Sequence, residues 1–129
     1  MIVNTASIDG QIGMATLSPY TASKHGVLGL TKTTALEYGR ENIRCVAVCP
    51  GFIDTAMTRG ALSEEETAIL AGSIPNEGGQ KAQPAQVANM VLWLASDKAS
   101  YVNGSSHLVD AGLTAGFSLP EPARAGLSR

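Results

Sequence analysis

Apolar residues fall into short continuous runs near the start, middle and end of the chain, with longer stretches of helical spacing between them. The first run, Ile2-Val3, predicts a strand over residues 1–5 that delivers Ser7 at its carboxyl end. A loop punctuated by Gly10 and Gly13 follows. Ser18 then suits a helix N-cap, and Pro19 suits the first helical position, where a missing N–H costs nothing. The helix is expected over residues 18–38 and stops at Gly39. Val27, Leu28, Leu30, Leu36 and Tyr38 supply its apolar surface, while Lys32, Glu37 and Arg40 stay polar. Gly26 and Gly29 inside it each cost about 1 kcal/mol relative to alanine, so close approach of another backbone is expected there.

The second run, residues 43–49, is apolar on both faces, as in a buried strand of a parallel sheet. Pro50-Gly51 ends it, because proline cannot donate to the ladder and glycine relaxes the turn. Ser63-Glu64-Glu65-Glu66 is a capping box for a short helix through Ala71, with its acidic residues at the positive end. Residues 74–83 are expected to be flexible. Pro84 opens another helix with Val87, Met90, Val91 and Leu94 on one face and Trp93 beside it. His107-Leu108-Val109 is the last strand, and residues 117–129 form a loose or subunit-docked tail. Strands alternating with helices predict an α/β fold with a doubly wound parallel sheet, forming one domain over residues 1–116.

Composition narrows the partners. The formal net charge is −2 and charged residues are 16% of the chain, which gives no electrostatic case for nucleic acid or an anionic membrane. No apolar run is long enough to span a bilayer, and the amino terminus has no signal-peptide pattern. Cys45 and Cys49 lie four residues apart on one strand, about 13 Å, which a disulfide cannot bridge. They also lack the spacing of a metal site, so no metal is expected. Buried reduced thiols are expected, and a cytoplasmic location suits them.

The candidate chemistry lies between Ser7 and Lys24. Tyr20 and Lys24 are four residues apart, so they share a helix face with a rise of about 6 Å between them. A free phenol is ionised only about one part in a thousand at pH 7. An ammonium about 4 Å away, in an effective dielectric near 20, favours the phenolate by about 4 kcal/mol. Such a pair can therefore act as a general acid or base near neutral pH, and a nearby serine hydroxyl can hold the oxygen on which the proton moves. Taken singly, the same residues read as an amphipathic core tyrosine, a solvated lysine and a strand-end serine that caps a turn. Ser7 and the turn from Pro50 to Thr55 both follow the carboxyl ends of strands, where doubly wound sheets bind ligands.

The neighbouring residues strengthen the catalytic reading. Asn4-Thr5-Ala6-Ser7, the Ser7-to-Tyr20 separation and Tyr20-x-x-x-Lys24 are followed by Ala22-Ser23-Lys24-His25-Gly26-Val27 and Gly29-Leu30-Thr31. Then come Leu36-Glu37, Ile43-Arg44, Cys49-Pro50-Gly51-Phe52-Ile53-Asp54-Thr55, Leu94-Ala95-Ser96-Asp97, Tyr101-Val102-Asn103-Gly104 and Val109-Asp110-Ala111-Gly112. Together they resemble the short-chain dehydrogenase/reductase family over nearly the whole chain up to Gly112. The resemblance implies hydride transfer between NAD or NADP and an alcohol or ketone. It assigns Tyr20 as acid/base, Lys24 to the nicotinamide ribose and the tyrosine, and Ser7 to the substrate oxygen. It also implies cofactor contacts from Tyr20, Lys24 and the turn Pro50, Gly51, Ile53 and Thr55. Ile53 offers backbone groups to the carboxamide, and Thr55 offers a hydroxyl to the carboxamide or phosphate. A substrate lid follows, where Met57, Leu62 and Ile69 line an apolar pocket or simply cover a mobile loop. The long helix packs against its counterpart in a homodimer or homotetramer.

A dinucleotide site also needs a glycine-rich turn between a first strand and a helix, and Gly10-x-x-Gly13 follows the serine strand instead. The chain is therefore expected to hold the carboxyl-terminal half of a Rossmann-like sheet, its last three strands, with an exposed apolar edge on the first. Such a half binds cofactor poorly alone. A non-catalytic fragment acting through subunit contacts is the alternative. An epimerase or dehydratase of the extended branch ranks last, because the chain ends soon after its final strand.

Overall fold

The computed structural model describes residues 1–116, so the tail expected over residues 117–129 lies outside the described residues. Three strands, β1 (Ile2–Thr5), β2 (Cys45–Pro50) and β3 (Ser106–Val109), run parallel in the order β1-β2-β3. Ile2 pairs with Cys45 and Thr5 with Val48; on the other side Ala47 pairs with Ser106 and Pro50 with Val109. The expected α/β architecture is present. Among the described residues β1 has one unpaired side, and Met1 and Ile2 are 44% and 41% exposed.

β2 begins later than the hydrophobic run suggested. The Ile43 amide turns back to the Tyr38 carbonyl at 3.3 Å, so pairing starts only at Cys45. Pro50 stays within the strand because alternate residues face alternate neighbours. Ala47 and Gly51 donate to β3, whereas the Val48 carbonyl takes the Ala6 amide. The Pro50 nitrogen thus faces β1 beyond its last paired residue, where no donor is needed. Cys45, Val46, Ala47, Val48 and Cys49 are all fully buried, and both cysteines are free. Each buried valine contributes about 1.5–3 kcal/mol of hydrophobic stabilisation, which makes this strand the centre of the core.

Helix α1 (Ser18–Tyr38) covers one face of the sheet, where Leu28 packs with Ala6, Ala47 and Cys49. Its cap differs from expectation. Leu17 occupies the cap position, and Ser18, already helical, makes no capping bond. At the other end, Gly39 does not stop the chain. A 3₁₀ turn (Gly39–Glu41) continues it, and Asn42, left-handed at φ 62°, closes the end. The buried stripe is Leu28, Thr31 and Ala35, while Leu30 and Leu36 are 62% and 83% exposed. Thr31 belongs there because its hydroxyl donates to the Val27 carbonyl at 2.8 Å and accepts the Asn4 amide at 2.9 Å. Among the described residues, nothing beyond the helix's own backbone comes within 4 Å of a Cβ built at Gly26 or Gly29, so none of them supplies the close approach expected there.

Two helices follow: α2 (Ala56–Ala61), which the periodicity missed, and α3 (Glu64–Ser73), capped by the Ser63/Glu66 box as expected. Helix α4 (Pro84–Ala95) lies against all three strands. Arg44 reaches the end of α4, donating to the carbonyls of Leu94 (3.1 Å), Ser96 (3.3 Å) and Val102 (3.2 Å). Asn103 accepts the Cys45 amide at 2.8 Å and donates to the Ala35 carbonyl at 3.4 Å. No helix among the described residues is long and apolar enough to cross a membrane.

Candidate active site

β1 ends at Thr5, and the buried Ala6 leads to Ser7 in extended conformation. The Ser7 hydroxyl oxygen accepts the Asp9 amide at 3.2 Å, capping a 3₁₀ turn (Ile8–Gly10). With that lone pair occupied, the Ser7 O–H remains available to donate. The turn lies hard against α1, because a Cβ on Gly10 would stand 2.9 Å from the Lys24 carbonyl oxygen.

α1 brings Tyr20 and Lys24 to the same rim. The Lys24 ammonium donates to the Thr5 carbonyl at 3.2 Å and stands 5.4 Å from the centroid of the Tyr20 ring, over its face. Ser7, Tyr20 and Lys24 therefore gather at the carboxyl end of β1. Ser7 is 8% exposed and the Tyr20 side is open, at 39%. An ammonium has three donors, and the Thr5 carbonyl takes one of those on Lys24.

The Pro50–Thr55 segment forms the second side. Gly51 serves close packing more than turn freedom: a Cβ there would meet Asp110 Cβ at 2.8 Å and Cα at 3.0 Å. Burial alone would raise the Asp110 carboxyl, but hydrogen bonds from Thr114 and the Gly112 amide hold it below the ordinary carboxylate range. Ile53 is buried and bridges to Ala82, with the Ala82 amide on the Phe52 carbonyl and the Asp54 amide on the Ala82 carbonyl. In that arrangement the amide and carbonyl of Ile53 itself face the other way, and the carbonyl takes the Thr58 hydroxyl at 2.6 Å. Thr55 caps α2, accepting the Thr58 amide at 3.4 Å while its own amide donates to the Thr58 hydroxyl at 3.0 Å. The spacing Thr55-x-x-Thr58 was the overlooked signal for that helix. Met57 on α2 is 77% exposed and Ile69 65%. Asp54 pairs with Arg59 at 2.8 Å, which holds its carboxyl below the ordinary value. Behind the turn is a cavity of about 220 Å³ lined by Phe52, Ile74, Lys81, Ala82, Val109 and Asp110; it includes none of Ser7, Tyr20 or Lys24.

Sequence reasoning missed two polar residues beside Ser7. Asp9 is 3% exposed, and its Oδ1 has no hydrogen-bond partner among the described residues. Burial raises its carboxyl above the ordinary value, against a pull from His25. Gln11 closes the 3₁₀ turn through its amide to the Ile8 carbonyl at 2.8 Å, and its side chain reaches β2 and β3. Asp and Gln beside glycines look like ordinary turn residues, so only the fold shows where their side chains go. No group of three or more His, Cys, Asp or Glu among the described residues is arranged to hold a metal.

The sequence family described as enoyl-(acyl carrier protein) reductase matches residues 1–114. A cyclohexanol dehydrogenase of Acinetobacter sp. (strain SE19) is 47% identical over 113 residues, covering 88% of this chain and 43% of that relative. A 3-oxoacyl-(acyl-carrier-protein) reductase of Thermotoga maritima is 45% identical over 112 residues, covering 87% and 44%. A 4-hydroxyisoleucine dehydrogenase mutant solved with NADH and succinate superposes with a TM-score of 0.84 at 32% identity, covering 91% of this chain and 48% of that one. Actinorhodin polyketide ketoreductase, an F189W variant solved with NADPH, superposes at 0.80 with 38% identity, covering 87% and 46%. The chain thus spans less than half the length of these relatives.

Proposed function

Because the chain belongs to the short-chain dehydrogenase/reductase family, we propose that it carries the acid–base centre of an NAD- or NADP-dependent alcohol dehydrogenase or ketoreductase acting on a small-molecule alcohol or ketone. The observation that carries this reading is the Lys24 ammonium, held on the Thr5 carbonyl and over the Tyr20 ring, beside a Ser7 hydroxyl free to donate.

Tyr20 gives a proton to the substrate oxygen in reduction and takes it in oxidation. Ser7 donates a hydrogen bond to the same oxygen, stabilising the charge that develops there. Lys24, over the Tyr20 ring, would hold the ribose hydroxyls. A bound nicotinamide supplies or accepts the hydride. Pro50 and Gly51 would hold the nicotinamide, the Ile53 backbone its carboxamide, and the Thr55 hydroxyl the carboxamide or phosphate. Met57 lines the substrate side on α2 together with Ser7 and Tyr20. The coverage of the relatives, less than half their length, supports reading residues 1–116 as part of a longer Rossmann-type domain, and the strand-end serine followed by Tyr20 and Lys24 assigns that part to its carboxyl-terminal half in this reading. The exposed Leu30 and Leu36 beside Gly26 and Gly29 support a homodimer or homotetramer through α1. Two buried free thiols suit a cytoplasmic protein.

In the complete protein, Tyr20→Phe should lower nicotinamide-dependent turnover by at least about a hundredfold, followed by coenzyme absorbance. Lys24→Met should lower turnover and raise the coenzyme KM; an unchanged coenzyme KM removes lysine from that role. The open side of β1 favours a second reading, a non-catalytic module acting through subunit contacts. Oligomerisation without any coenzyme binding by the complete protein would select it.

A further inference from the structure

The Ser7 hydroxyl sits between a strand end and a three-residue turn, so a small tilt of that turn moves it. Two anchors oppose such a tilt. Gln11, the residue that closes the turn, extends its side-chain amide across the sheet, with Nε2 3.0 Å from Ser106 Oγ at the start of β3 and 3.8 Å from Cys49 Sγ on β2. A primary amide has two N–H donors, and both are used. The Cys49 thiol is fully buried, and burial pushes it up, against the pull of Gln11, the Ser7 backbone amide and Lys24.

We propose that Gln11 and Cys49 are positioning residues for the Ser7 hydroxyl: Gln11, tied to β2 through Cys49 and to β3 through Ser106, holds the turn that sets where that hydroxyl meets the substrate oxygen. This rests on the dehydrogenase reading of Ser7. Glutamine fits the task by its length and its two donors; methionine keeps the length and removes both donors.

The test uses the complete protein with coenzyme and an alcohol substrate. Gln11→Met should lower kcat between about tenfold and a hundredfold, the cost of a misplaced group, while coenzyme KM and thermal stability hold. Ser106→Ala, which removes one anchor, should give a smaller loss of the same kind. In a Ser7→Ala background Gln11→Met should cost almost nothing further, because it acts through Ser7. The proposal is overturned if Gln11→Met leaves kcat unchanged, lowers stability and coenzyme affinity together with kcat, or costs as much without Ser7 as with it. If Ser7→Ala and Tyr20→Phe leave turnover intact, the dehydrogenase reading itself has failed, a separate outcome.

Discussion

The sheet rim that holds Ser7, Tyr20 and Lys24 and the segment from Ile53 to Ala82 are built by different means. Beneath the rim, distant residues tie the sheet together: Asn4 with Thr31 and, at the opposite, amino-terminal end of the strands, Arg44 with three carbonyls near α4 and Asn103 with Cys45 and Ala35. The strand beneath is fully buried. The Ile53–Ala82 segment is held mostly by bonds a few residues long, namely the Thr55/Thr58 and Ser63/Glu66 caps and Asn76 with Gln80. Within it only Ile53 and Ile74 are buried. A frame over-determined by long-range contacts can hold reacting groups still, whereas locally held helices open at small cost. Under the proposed function, the first region keeps the chemistry constant and the second adapts to the substrate.

The largest expected effect tests the frame. Arg44→Met leaves three carbonyls without their donor and should cost about 3–5 kcal/mol in urea unfolding. A cost under about 1 kcal/mol would mean that water replaces the guanidinium. Gly51→Ala should cost about 1–3 kcal/mol, because its Cβ would meet the Asp110 backbone and Cβ, which cannot swing aside.

A third prediction carries a sign. Asp9 holds its proton more tightly folded than unfolded, so its contribution to stability is whole below its ordinary value of 3.8 and declines as pH rises through the raised one. Asp9→Asn, which cannot ionise, should therefore be more stable than the parent at neutral pH, and the advantage should shrink on acidification toward pH 3.8. A stability gap independent of pH contradicts this. The smallest effect belongs to the other region. Ser63→Ala should cost about 1 kcal/mol, seen as faster hydrogen exchange in α3 while the global unfolding midpoint hardly moves. A matching loss of global stability would erase the distinction between the regions.

Much of the fold was legible in the sequence because its signals are local. The Ser63/Glu66 box announced α3, Pro84 announced α4, and the run ending at Cys49 announced a buried strand. Boundaries were less legible where a remote or competing bond intervened. Tyr38 takes the Ile43 amide and delays β2, while Asn42 rather than Gly39 supplies the left-handed residue. The expected apolar face of α1 was partly misassigned, because hydropathy alone prefers Leu30 and Leu36 to Thr31. Asn4 reverses that preference by satisfying the buried hydroxyl.

The one-dimensional order of residues determined the alternation of strands and helices, the placing of Tyr20 and Lys24 on one helix face, and the delivery of Ser7 at a strand end. Each follows from backbone periodicity, which neighbours in sequence dictate. Tertiary structure alone decided that Lys24 would meet the Thr5 carbonyl, that Gly51 would lie under Asp110, that Asp9 would be buried, and that Gln11 would reach Cys49 and Ser106. Such contacts join residues far apart in the chain, and their energies exist only once the sheet and helices have brought those residues within reach.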